Sequence, residues 1–168
     1  MESIAKWISV LHRQFQIYLN RELRNFDINS SEYIFLVNLY EEDGVSQEKL
    51  SASLFIDKAA TARAMRRLEQ LGYVNRKRDP NDSRSNLVTL TSKGMEMKKF
   101  IKSKLTYWTQ TISEGLTVEE TEDMVKKIKH MSRNALIETN RNDRINDRKR
   151  SKTGEGMTDT YAPGHPER

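Results

Sequence analysis

The sequence predicts a mainly α fold carrying one small β-hairpin, and three observations point to it. Apolar residues recur at three- and four-residue steps along most of the chain, the spacing of helices with one buried face. Two such segments are joined only by Phe55, Ile56 and Asp57, too short a link for anything but a helix-turn-helix. One turn, Pro80-Asn81-Asp82-Ser83, separates the basic run Arg76-Lys77-Arg78 from the β-branched run Leu87 to Thr91.

Each element has its own local reason. Ile4, Ile8, Leu11, Phe15, Tyr18 and Leu23 form a stripe opposite Lys6, Arg13 and Arg21, which predicts an amphipathic helix over roughly 3–25. Asn29 to Glu32 has the spacing of a capping box and opens a second helix through Tyr33, Leu36, Val37 and Tyr40. Ser46 caps a third helix through Leu50 and Leu54. Asp57 caps a fourth, whose inward face is Thr61, Met65 (or Ala64), Leu68 and Leu71, with Gly72 as its left-handed stop. The runs beginning at Tyr73 and Asn86 pair as the hairpin. Thr91 then caps a long helix through Phe100, Leu105, Trp108 and Ile112, which ends at Gly115. A second capping box, Thr117 to Glu120, starts a last helix carrying Val118, Met124 or Val125, Ile128, Met131 and Leu136. Residues 139–168 lose apolar periodicity and hold two of the three prolines, so they are expected to be disordered.

Composition narrows the function classes. The 168 residues contain no cysteine, which removes disulfide scaffolds, thiolate metal sites and thiol redox chemistry. No signal-peptide core or membrane-spanning run is present, so the expected location is cytoplasmic, with no membrane partner. His12, His130 and His165 lack paired-ligand spacing and read as surface or packing residues, so no metal is expected. The Gly154-Glu155-Gly156 stretch follows no strand and opens no helix, and no serine sits in a catalytic motif. Neither an enzyme nor a cofactor is expected.

The charge distribution is more informative than its total. Between Asp57 and Ser85 there are eight positive and four negative residues, a net +4 out of +5 for the whole chain. The inward face of the fourth helix leaves Ala59, Ala60, Arg63, Arg66 and Arg67 pointing elsewhere. Small alanines permit close approach to base edges, and the arginines suit phosphates or guanine. A helix-turn-helix followed by a basic hairpin is a winged helix, and double-stranded DNA is its expected partner. The rival reading is a winged-helix module that docks an acidic protein. The basic segment from Arg141 to Lys152 either adds nonspecific DNA affinity or only solubilises the chain.

Asp82-Ser83-Arg84, five further residues and Leu90-Thr91, behind the run from Asp57 to Arg76, resemble the wing signature of MarR-type transcriptional regulators. The resemblance spans roughly Ile4 to Leu136. It implies a homodimeric regulator, most simply a repressor, on a pseudo-palindromic operator. Residues 1–28 and 91–138 would supply dimerisation helices, and 29–90 the winged helix-turn-helix lobe. It further implies that Arg84 enters the minor groove and that Asp82 orders the wing, flanked by Arg78 and Ser85. Ala59, Ala60 and Arg63 would occupy recognition-helix positions, with Ser46 and Lys58 near phosphates. Alanines stand where the family often has hydroxyl residues, which favours methyl contacts or shape readout. Finally, it implies a small aromatic or anionic effector, for which Tyr18, Tyr33, Tyr107 and Trp108 (with Trp7) are candidates, although core or dimer packing explains any one of them more simply.

Overall fold

A computed structural model describes residues 2–79 and 86–153, with side chains as far as Thr139. The described residues fall into two compact units, divided between Gly115 and Leu116. In the first, α1 (Ile4–Leu23) runs into a 3-10 turn at Arg24–Phe26. Then follow α2 (Tyr33–Glu41), β1 (Val45–Ser46), α3 (Gln47–Leu54), α4 (Lys58–Gln70), β2 (Val74–Arg78), β3 (Asn86–Leu90) and α5 (Ser92–Ile112). The second unit holds α6 (Val118–Thr153).

The expected caps form. The Ser46 hydroxyl accepts the Lys49 N–H at 3.1 Å and the Asp57 carboxylate accepts the Ala60 N–H at 2.8 Å. Thr91 Oγ1 likewise accepts the Gly94 N–H at 3.0 Å. Each satisfies a donor that the first helical turn leaves unpaired. At the start of α6 both halves of the capping box close, with Thr117 N–H on Glu120 Oε2 (2.8 Å) and Glu120 N–H on Thr117 Oγ1 (3.2 Å). At α2 the box only half forms: Glu32 Oε2 accepts the Asn29 N–H, while Asn29 Oδ1 takes the N–H of Ser31 and the helix starts at Tyr33.

The core of the first unit is continuous. Tyr18, Leu19 and Leu23 of α1 meet Phe35, Leu36 and Leu39 of α2, Leu50 of α3, and Met65 and Leu68 of α4. Ile28, Val45, Tyr73, Val74, Val88, Met97 and Ile101 complete it. At Gly94 the backbone approach demands glycine, since a Cβ there would lie 2.1 Å from the Tyr73 carbonyl oxygen. That contact, with the Thr91 hydroxyl donating to the Gly72 carbonyl at 2.6 Å, seats α5 on the base of the wing.

Two elements differ from the sequence reading. The hairpin belongs to a three-stranded antiparallel sheet of order β1-β3-β2, in which Val45 pairs with Val88 and Ser46 with Leu87. A two-residue strand has no period to detect; its only signal is Val45 after Gly44. The helix α6 continues to Thr153, so residues 139–153 are helical where disorder is expected. Apolar periodicity reports burial rather than helicity. Residues 118–153 contain neither glycine nor proline, and their lysines and arginines favour helix. Residues 154–168 lie outside the described residues.

Candidate nucleic-acid interface

The helix-turn-helix is set by backbone geometry at Phe55. This residue adopts φ +55, in the left-handed region, and ends α3 with its N–H directed to the Ala52 and Ser51 carbonyls. Ser51 Oγ donates to the Ile56 carbonyl at 2.6 Å and closes the turn. The chain thereby enters α4 with Thr61, Met65 and Leu68 facing the core, as their spacing predicts. Lys58, Ala59, Arg63 and Arg66 are exposed, while Ala60 is half-buried. Neither Arg63 nor Arg66 has a carboxylate partner among the described residues.

Three other cations of this region, Lys58, Arg67 and Arg76, are partnered within the protein. Lys58 Nζ lies 2.7 Å from Glu48 Oε1, an exposed pair that holds Glu48 below the ordinary carboxylate range through that hydrogen bond. Arg67, although about half exposed, reaches back to the α1–α2 elbow. Its Nε is 2.8 Å from the Glu32 carboxylate and its Nη2 donates to the Asp27 carbonyl at 3.0 Å. Arg76 grips Glu69 through Nε (2.8 Å) and Nη2 (2.6 Å), and its backbone N–H also donates to Glu69, at 3.2 Å. The result ties the base of the wing to α4.

Among the other predicted contacts, Ser46 is half-buried as the cap of α3, and Arg78 is exposed at the end of β2 opposite Asn86. Asp82, Arg84 and Ser85 lie outside the described residues. Sequence reasoning missed the carboxylates that partner the cations: Glu32, Glu48 and Glu69. Glu32 has a one-dimensional signal only as part of a cap. Its second oxygen finds Arg67 through the fold.

The four effector candidates divide. Phe15 joins Tyr33 (ring centroids 5.6 Å) to Trp108 (5.4 Å), and Trp108 stacks on Tyr18 at 5.0 Å. Tyr107 stacks on Tyr18 at 6.3 Å. The Tyr18 hydroxyl donates to the Lys104 carbonyl at 3.0 Å, and burial pushes its phenol pKa up. A cavity of about 710 Å³ lies alongside, between α1, the α1–α2 elbow and α4, bordered by His12, Phe15, Tyr33, Ala60, Arg63 and Arg67 among others. Of the four candidates only Tyr33 borders it; Tyr18, Tyr107 and Trp108 pack together elsewhere.

Comparison with known proteins supports the same assignment. The MarR family profile matches residues 28–86, which is α2 through the start of β3. The chain is 30% identical over 127 residues to the HTH-type transcriptional regulator BilQ of Clostridioides difficile, covering 76% of this chain and 86% of that one. The chain belongs to the MarR family. It is therefore a winged-helix transcriptional regulator. The crystal structure of a MarR transcriptional regulator from Methanosarcina mazei superposes with TM-score 0.75 at 38% identity, covering 79% of this chain and 96% of that one. A Staphylococcus aureus MepR–DNA complex shares the MarR fold at TM-score 0.71 and 22% identity, over 78% of this chain and 97% of that one.

Proposed function

We propose that this MarR-family chain is a homodimeric repressor that binds a pseudo-palindromic operator through the exposed face of α4 and the wing, and is released by a small effector. The observation that carries this reading is the segregation on α4. Core residues lie on one side, while Ala59, Arg63 and Arg66 stand exposed on the other with no carboxylate on either arginine among the described residues. Neutralising phosphates with such arginines releases counterions and gives salt-dependent affinity. In the wing, Arg84 would enter the minor groove with Asp82 ordering the turn beside Ser85, and Lys58 and Ser46 at the helix ends would lie near phosphates. The fold of the MepR–DNA complex is the same.

Dimerisation is supported by apolar surface that α1 leaves uncovered. Ile4, Trp7, Ile8 and Leu11 are each about half exposed, as is Ile112 at the end of α5. In the second unit Met124, Val125 and Ile128 are similarly exposed along α6. A stripe of this kind marks an interface. The cavity beside α4 is the place for an effector, with Tyr33 and Phe15 offering ring faces and Arg63 a cation. An aromatic anion suits that lining. Repression is relieved when the occupant alters the placement of α4. The protein would work in the cytoplasm, where its DNA lies; no described helix is long and apolar enough to cross a membrane.

The test is binding to duplexes selected from a randomised pool, followed by anisotropy at several salt concentrations. Nanomolar, sequence-selective, strongly salt-dependent binding is expected. Weak, sequence-blind binding would instead favour docking to an acidic protein.

A further inference from the structure

Among the arginines of the recognition helix, Arg67 has a different environment from its neighbours. The carboxylate it meets, Glu32, is 4% exposed. One Glu32 oxygen accepts the Asn29 N–H at 3.0 Å, and the other receives Arg67 Nε at 2.8 Å. The same guanidinium donates from Nη2 to the carbonyl of Asp27, which ends the turn after α1 with φ 58. Arg67 therefore holds the elbow between α1 and α2 at two points. The rigid fork of a guanidinium fixes orientation as well as distance, which a single ammonium would not. A second link runs nearby, since the Tyr73 hydroxyl donates to the Phe26 carbonyl at 2.9 Å. Arg67 is half exposed, but Glu32 is buried, and a buried carboxylate deprived of its cation is costly, so this contact is not readily exchanged for a phosphate.

We propose that Arg67 is a positioning residue rather than a DNA contact: the Glu32–Arg67 clamp fixes the angle of α4 against α1, and sequence discrimination depends on that angle. Arg63 lies one helical turn from Arg67 on the same helix. Loosening the clamp therefore misplaces the side chains that reach the groove, while leaving the charge available for nonspecific binding. The proposal rests on α4 being the DNA-reading helix.

The two roles of Arg67 predict opposite signs for Glu32→Gln. If Arg67 contacted phosphate, removing its carboxylate partner would free it, tighten binding and steepen the salt dependence. If it positions α4, Glu32→Gln weakens binding although a negative charge has been removed.

The experiment uses the full chain, a duplex selected from a randomised pool and an unrelated duplex of equal length, titrated by anisotropy at several salt concentrations. Thermal midpoints are recorded so that every variant is assayed while folded. Glutamine keeps an oxygen for the Asn29 N–H, so the elbow survives in that variant. Glu32→Gln and Arg67→Ala should each weaken selected-duplex binding about tenfold, with the unrelated duplex and the salt slope unchanged. The double variant should be no worse than either single, since both break one link. Arg67→Lys should restore only part of the discrimination. An unchanged or tighter Glu32→Gln, or an Arg67→Ala that loses affinity for both duplexes and about one unit of salt slope, overturns the positioning role alone. A wild-type chain that does not distinguish the duplexes overturns the DNA-reading assignment and the clamp proposal together.

Discussion

The two halves of α1 carry the same apolar pattern and meet different surroundings. In the C-terminal half, Tyr18, Leu19 and Leu23 are buried in the core of the first unit, Tyr18 against Lys104 and Trp108 of α5. In the N-terminal half Ile4, Trp7, Ile8 and Leu11 repeat the spacing, yet each is about half exposed. One half completes the core of its own chain, and the other requires a surface the chain does not supply within its first unit. A periodic stripe tells which face is buried but not by what.

Substitutions along α1 probe that contrast. The largest effect is expected from Leu11→Asp in the exposed half. A charge in the proposed dimer interface should convert a dimer to a monomer, seen by sedimentation. Operator affinity should fall by about a hundredfold or more, because two half-sites are no longer held together. The folding of the first unit should be spared. In the buried half, Leu23→Ala should act on stability instead, costing about 2–5 kcal/mol in denaturant unfolding through lost burial and the cavity left behind. Tyr18→Phe retains the ring stack but removes the hydroxyl bonded to the Lys104 carbonyl, and should cost about 1 kcal/mol by the same measurement.

The smallest effect concerns pH. Lys104, bonded to Glu22 at 2.7 Å, holds that carboxyl below its ordinary range. A depressed carboxylate stabilises the fold above its unfolded-state pKa, and that contribution is lost as pH falls through the folded-state value. Wild type should therefore melt slightly above Glu22→Gln at neutral pH, and the difference should close in acid. A difference that grows in acid would contradict the pairing.

The fold was legible wherever a local rule decided it. Ser46, Asp57, Thr91 and Thr117 cap helices because each places an oxygen before a run of unpaired N–H groups. The inward face of α4 follows from periodicity alone. The strand β1 was not legible, because Val45 and Ser46 acquire strand character only by pairing with β3. The helical stretch 139–153 was missed for the converse reason, since helix formation does not require an apolar face. On α4 and the strand that follows it, sequence located the cations but could not assign their partners. Arg63 and Arg67 are four residues apart, chemically identical and both exposed, and only the fold distinguishes the one without a carboxylate partner among the described residues from the one clamped to Glu32.

The most direct test of the central claim, that two copies of α4 read DNA as a pair held together by the exposed half of α1, is a hydroxyl-radical footprint of the full chain on a selected duplex. The predicted result is two protected patches related by a pseudo-twofold axis, their centres about 10 base pairs or a multiple apart. A single patch, or uniform protection without a preferred position, would contradict it.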